Sequence, residues 1–232
     1  MGMRMADRRA EHLFRFVSCM ELREALGKRA LDEQRLLEII EEAPVDSIYY
    51  HTHSYYLRHP YAQRLFPNDF ATWVALHAQD RVLGEKLGIL DPFAFEGIEQ
   101  LRTEIVTIVT DHLRRLGTVP RCLTGEPFEF VRSHVIDVPL EVTAATLREF
   151  RDALTGIEVG AVYNHLCEAR LRKGHLRGDF AFWIAAEDGL RMAELAGQVE
   201  HVGHCGLSLE AMRGRIIDLC DRALAGENSA ER

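Results

Sequence analysis

Two stretches of this chain carry the same landmarks in the same order, and that duplication restricts its architecture more than any other feature. The first copy opens at Phe14-Arg15-Phe16-Val17, the second at Phe128-Glu129-Phe130-Val131. Laid over one another without a gap, they pair Leu26 with Leu140, Ala30 with Ala144, Val45 with Val159, Tyr49 with Tyr163, His51 with His165, and Leu57-Arg58 with Leu171-Arg172. After one small deletion, Asp69-Phe70-Ala71-x-Trp73 meets Asp179-Phe180-Ala181-x-Trp183, and Ile105 to Leu113 meets Ile216 to Leu224. The stretch 117–127 between the copies collects Gly117, Pro120, Gly125 and Pro127, residues that break regular structure, and reads as a linker. The expected organisation is a first repeat over 14–116, a second over 128–225, and flexible termini at 1–13 and 226–232. Each repeat has only about 100 residues, so burying the apolar face of one against the other as a pseudo-twofold unit is the expected arrangement.

The fold class expected is mainly α, with about four helices in each repeat. Asp32 to Ala43 sets Leu36, Leu37, Ile39 and Ile40 among charges, begins acidic and stops at Pro44, as a helix should. Its counterpart is Thr143 to Leu154. Second helices are expected over Asp46 to His59 and Val159 to Lys173, third ones over Asp69 to Leu87 and Asp179 to Leu195, and fourth ones over Ile98 to Leu116 and Leu209 to Leu224. Phe14-x-Phe16 and Phe128-x-Phe130 alternate as strands do, which adds one short strand per repeat.

Charge and cysteine usage narrow the function classes. A net charge of -8 argues against a nucleic-acid binder, which needs a basic surface to neutralise phosphates. The five cysteines are odd in number and scattered, with no Cys-x-x-Cys, so neither a disulfide framework nor a zinc ribbon is signalled. No stretch approaches the roughly 20 apolar residues of a membrane helix. The expectation is a cytoplasmic, non-membrane protein.

Among candidate functional residues, Ser47-Ile48-Tyr49-Tyr50-His51-Thr52-His53 holds a His-x-His pair. On a strand the two imidazoles would share a face and grip one metal, but on a helix they diverge, so no metal centre is assigned to them. Helical projection puts Ser47, His51, Ser54 and Arg58 on one polar face, repeated as His165, Glu168 and Arg172. Two readings follow: converging His-Arg faces that bind an anion or a partner's carboxylate, or arginines that tie each helix to an acid in its own half. Asp69 and Asp179 stand where a helix needs an N-cap, and Trp73 and Trp183 fall on the buried side, which makes these residues structural. His53, Asn68 and His77 occur in the first copy alone and are where a unique site would arise. Glu200-His201-Val202-Gly203-His204-Cys205-Gly206 offers metal-ligand types, read as a loop between helices. There is no His-Glu-x-x-His, Gly-x-Ser-x-Gly or phosphate-binding glycine loop.

Phe14-Arg15-Phe16, the segment Ser47 to His53, Pro67-Asn68-Asp69-Phe70-Ala71-x-Trp73, and Val162-Tyr163-x-His165-x-x-Glu168-Ala169-Arg170-Leu171-Arg172 resemble the bacterial and archaeal family labelled domain of unknown function 5752. The resemblance spans roughly Phe14 to Leu224 and implies no activity, since the family has none established. Two departures fall in the second half: Gly178 replaces an asparagine parallel to Asn68, and Asn164 precedes His165 in place of an aromatic.

The functional expectation is a non-catalytic accessory or regulatory protein that binds a small anionic ligand or a protein partner through His51, His53, Arg58, Asn68, Asp69, His165 and Arg172. One alternative is a hydrolase or transferase, metal-assisted, using His51 or His53 with Asp69. The other is a structural homo-oligomer. No cofactor is identified.

Overall fold

A computed structural model describes residues 8–61, 65–122, 125–169, 171, 177–203 and 207–229. It is largely helical, with a two-stranded antiparallel sheet. Strand β1 runs Phe14–Ala30 and β2 runs Phe128–Ala144, each 17 residues long. They are far longer than the short strands expected, and the reason lies in their exposure. Beyond Val17 in β1 and Val131 in β2 most positions are exposed or half-exposed on both faces, so no apolar alternation marks them in the sequence. Thr143 and Ala144, expected to open a helix, end β2 instead.

The chain forms two compact units, Glu21–Val135 and Met1–Met20 with Ile136–Arg232. Their boundaries fall inside the strands, whereas the sequence copies meet near the linker. The helices of the first copy, from Glu33–Glu42 to Ile98–Leu113, therefore share a unit with the opening of β2, and the helices of the second copy share one with the opening of β1.

In the unit Glu21–Val135, Phe128 and Phe130 enter the core beside Phe70, Trp73, Leu36, Ile39, Ile40 and Ile105. Phe128 stacks on Phe70 at 5.2 Å and meets Trp73 edge-on at 6.0 Å. In the other unit Phe14 and Phe16 do the same work, with Phe16 stacked on Phe150 at 5.7 Å and Phe14 at 5.4 Å from Trp183. Fully burying rings of this size contributes on the order of 2–3 kcal/mol each, which is why a strand opening of two alternating phenylalanines suffices to close a helical core.

Several expected helices are divided. Asp46 to His59 becomes Val45–His51 and Ser54–Arg58, because the Thr52 hydroxyl bonds back to Ile48 O at 2.6 Å and competes with the helical ladder. Asp69 to Leu87 becomes Asp69–Leu76 and Arg81–Gly88, broken where Gln79 takes φ 60°. Asp179 to Leu195 becomes Asp179–Ala185 and Ala193–Val202, broken where Arg191 takes φ 56°. The second copy's counterpart of the first break is a π-helical turn, Asn164–Glu168, after the helix Val159–Tyr163. Residues 8–13 are anchored rather than loose: Ala10 N donates to Ala145 O at 2.7 Å, and the Trp183 indole donates to His12 O at 2.8 Å. The last helix, Leu209–Ser229, runs past the expected end of the second repeat. No helix among the described residues is long and apolar enough to cross a membrane.

Candidate functional site

His51 closes the helix Val45–His51 and points its ring at β2. Its Nε2 accepts from the Val131 backbone N–H at 3.1 Å, and its Nδ1 lies 2.8 Å from Asp69 Oδ2. A backbone amide can only donate, so Nε2 is the unprotonated nitrogen and Nδ1–H donates to the carboxylate. One turn earlier, the Ser47 hydroxyl donates to Val131 O at 2.9 Å. Helix and carboxylate together therefore take both backbone groups of Val131 and hold Phe128 and Phe130 in register.

Arg58 completes the arrangement. It reaches Asp69 with Nη2 at 2.7 Å and Nη1 at 3.3 Å, and Nη2 also donates to Tyr50 O at 2.8 Å. Its guanidinium lies 4.2 Å from the Tyr50 ring centroid and 5.6 Å from that of Tyr55. Burial pushes the His51 pKa down more than Asp69 raises it, which keeps the ring neutral. Burial works to raise Asp69, but the His51 N–H and the Arg58 guanidinium outweigh it and hold the carboxyl below its usual range.

The other unit holds the same grip with one changed hand. Val17 N–H donates to His165 Nε2 at 2.8 Å, His165 Nδ1 lies 2.9 Å from Asp179 Oδ2, and the Asn164 amide donates to Val17 O at 3.1 Å. Asn164 thus does for Val17 what Ser47 does for Val131. Arg172 lies outside the described residues, as do His204, Cys205 and Gly206 of the Glu200–Gly206 segment.

The structure brings His51, Arg58 and Asp69 together but turns His53 away. The His53 Nε2–H donates to Pro92 O at 3.0 Å, and the ring stacks on Tyr49 at 5.6 Å. Full burial lowers its pKa to about 4. Asn68, rather than Asp69, caps the helix Asp69–Leu76: its Oδ1 accepts from Ala71 N at 2.8 Å and its Nδ2 donates to Leu87 O at 2.9 Å. Asp69 is the first helical residue, which frees its carboxylate for His51 and Arg58. At the matching position Gly178 has no side chain to cap with, and a Cβ there would lie 2.9 Å from His165 O. Trp73 and Trp183 are buried core residues. The Glu126 amide donates to His77 Nδ1 at 3.2 Å. The polar face expected on the second helix is itself buried, with Ser47 and Ser54 at 0% and His51 at 3% exposure. Neither imidazole of the two strand clamps has a lone pair left for a metal or a substrate proton.

Sequence reasoning missed a cleft between the helices Ala193–Val202 and Leu209–Ser229. It measures about 880 Å³ and is lined by Glu194, Gln198, His201, Arg215, Leu219 and Arg222, among others. Arg215, Leu219 and Arg222 follow i, i+4, i+7 spacing on one helical face. The signal was available in that spacing, but the stripe contains one apolar residue between two cations and resembles an ordinary solvated face.

A family model described as a family of unknown function, DUF5752, matches residues 11–221. The chain belongs to that family. No curated protein matches it. Among solved structures, OrfY from Thermoproteus tenax is similar, with 24% identity and a TM-score of 0.76 over 94% of this chain and 98% of that one. That likeness shows that the DUF5752 chain and OrfY share a fold.

Proposed function

We propose that the protein is a non-catalytic accessory or regulatory protein that binds a small anionic ligand in the cleft between the helices Ala193–Val202 and Leu209–Ser229. The observation that carries this reading is the pair Arg215 and Arg222. Both are exposed, both line the cleft, and neither makes an ion pair among the described residues. Two guanidinium forks on one helical face, with Leu219 between them, match a phosphate or carboxylate on an apolar body. A volume of about 880 Å³ is in the range of small-molecule sites. The enzymatic alternative has less support, because His51, His53 and Asp69 are all engaged in holding the fold together.

The same proposal treats the chain as a duplication whose copies have exchanged their opening strands. Support comes from the sequence alignment of the copies and from the matched grips on Val17 and Val131. Cys19, Cys122, Cys167 and Cys220 form no disulfide among the described residues, which supports a cytoplasmic setting.

The binding reading is tested by a thermal-shift screen of phosphorylated and carboxylated metabolites against the wild type and an Arg215→Ala/Arg222→Ala variant. Stabilisation that is lost in the double variant is the expected result. If nothing raises the wild-type melting temperature but an acidic peptide or protein does, the occupant is a partner instead. Equal stabilisation of wild type and variant moves the site elsewhere.

A further inference from the structure

Glu33 is fully buried, at 0% exposure, and neither of its carboxylate oxygens has a hydrogen-bond partner. A carboxyl group so placed costs several kcal/mol if ionised, and about 1–3 kcal/mol even when neutral, unless something else satisfies it. Its neighbours show what that could be. Asp80 and His112 converge on it, and one ligand atom from each of the three lies within 4.8 Å of the other two.

Each residue is delivered by a different helix. Glu33 is the first residue of Glu33–Glu42, behind its cap Asp32. Asp80 caps Arg81–Gly88, using Oδ1 to accept from Leu83 N at 2.9 Å and leaving Oδ2 to face His112 Nε2 at 2.6 Å. His112 belongs to the last turn of Ile98–Leu113 and is 6% exposed.

The other unit shows that the scaffold does not require polar groups at these places. Its first helical residue after the cap is Leu147 rather than glutamate, and its cap after the left-handed residue is Met192 rather than Asp80, both buried. Alignment of Ile105 with Ile216 puts Ala223 opposite His112. The matching positions are therefore apolar in one unit where the other has two acids and an imidazole.

We propose that Glu33, Asp80 and His112 form a binding site for a divalent transition-metal ion, of which zinc fits the donor set best. One imidazole nitrogen and two carboxylate oxygens are the ligand types zinc takes at about 2.0–2.2 Å, with a fourth position left for water. Two carboxylates balance the charge of the ion, and the orphaned oxygens of Glu33 gain a partner. Binding releases the proton of the buried Glu33 carboxyl to solvent, and the proton that His112 Nε2 shares with Asp80 passes to Nδ1. That nitrogen lies 3.4 Å from Lys86 Nζ, so the half-exposed lysine swings outward as the ion enters.

The site lies in the unit Glu21–Val135 and is independent of the Arg215–Arg222 cleft. The test uses the full-length, tag-free protein, stripped by a chelator and titrated with Zn²⁺, Mn²⁺ or Mg²⁺ against a competing chromophoric chelator. Expected are one equivalent of Zn²⁺ bound, a melting temperature raised by at least about 5 °C, and little response to Mg²⁺. Glu33→Gln keeps the shape without a charge to bury, so its metal-free melting temperature should equal or exceed that of the wild type while zinc affinity falls at least about 100-fold. Asp80→Asn keeps the helix cap and should weaken zinc binding similarly, which covers the case in which Glu33→Gln misfolds. Absence of stoichiometric binding to the wild type overturns the proposal, as does unchanged affinity in both variants.

Discussion

The two strand clamps differ less than the residues around them. Both hold a valine by its amide, on an imidazole nitrogen, and by its carbonyl, on a short polar side chain from the same helical segment. Ser47 does the second task in one unit and Asn164 in the other, so the grip survives a change of chemistry. Away from the grip the units diverge. The unit Glu21–Val135 buries His53, Glu33 and His112, while the other places Cys167, Leu147 and Ala223 at the aligned positions. What recurs is what the core needs; what occurs once is surplus to it, and that surplus is where particular chemistry is to be sought.

The strongest way to break this equivalence is to remove the rings the clamps hold in place. Phe130→Ala and Phe16→Ala, at 1% and 0% exposure, should each cost about 3–5 kcal/mol by chemical denaturation. A cost below about 1 kcal/mol for one of them alone would show that the two openings are not equivalent.

Acid should separate the units next. His53 is neutral in the fold, with its pKa lowered to about 4, whereas an unfolded histidine protonates near 6.5. Its contribution is complete above about pH 6.5, falls as the pH drops toward 4, and then levels off. The loss is about 3 kcal/mol. Denaturant melts across this range should show it, and His53→Cys, which copies the second unit, should flatten the profile. A profile unchanged by that substitution would remove His53 as the cause.

A smaller difference concerns the caps. Asn68→Ala removes a cap and the bond to Leu87 O and should cost about 1–2 kcal/mol. Gly178→Asn, which would restore the first unit's residue, should destabilise instead, because the added Cβ meets His165 O. If it stabilised, the close approach at Gly178 would not be what excludes a side chain.

Much of this was legible from residues alone, and the failures share a cause. Helix positions such as Glu33–Glu42 and Ile98–Leu113 followed from apolar spacing and breakers. The pairing of Arg58 with an acid of its own half was one of two readings, and Asp69 is that acid. The strands beyond Val17 and Val131 were invisible because a ribbon exposed on both faces leaves no alternation to read. The capping role slipped by one residue because Asn68 and Asp69 are both good caps, and only the position of His51 decides between them. Glu33 looked like an ordinary acidic first turn, since the residues that converge on it, Asp80 and His112, are distant in sequence. The Arg215–Arg222 cleft was hidden for a similar reason: its opposite wall comes from another helix.

The division of the strands also sets an order of events during synthesis. All of Glu21–Val135 is contiguous, so that unit can close as soon as residue 135 leaves the ribosome. Phe14 and Phe16, made before that unit, must wait for Phe150, His165, Phe180 and Trp183. A truncation at the glycine- and proline-rich linker would leave the early helices without Phe128 and Phe130, and the opening of β1 is translated well before the helices that receive it.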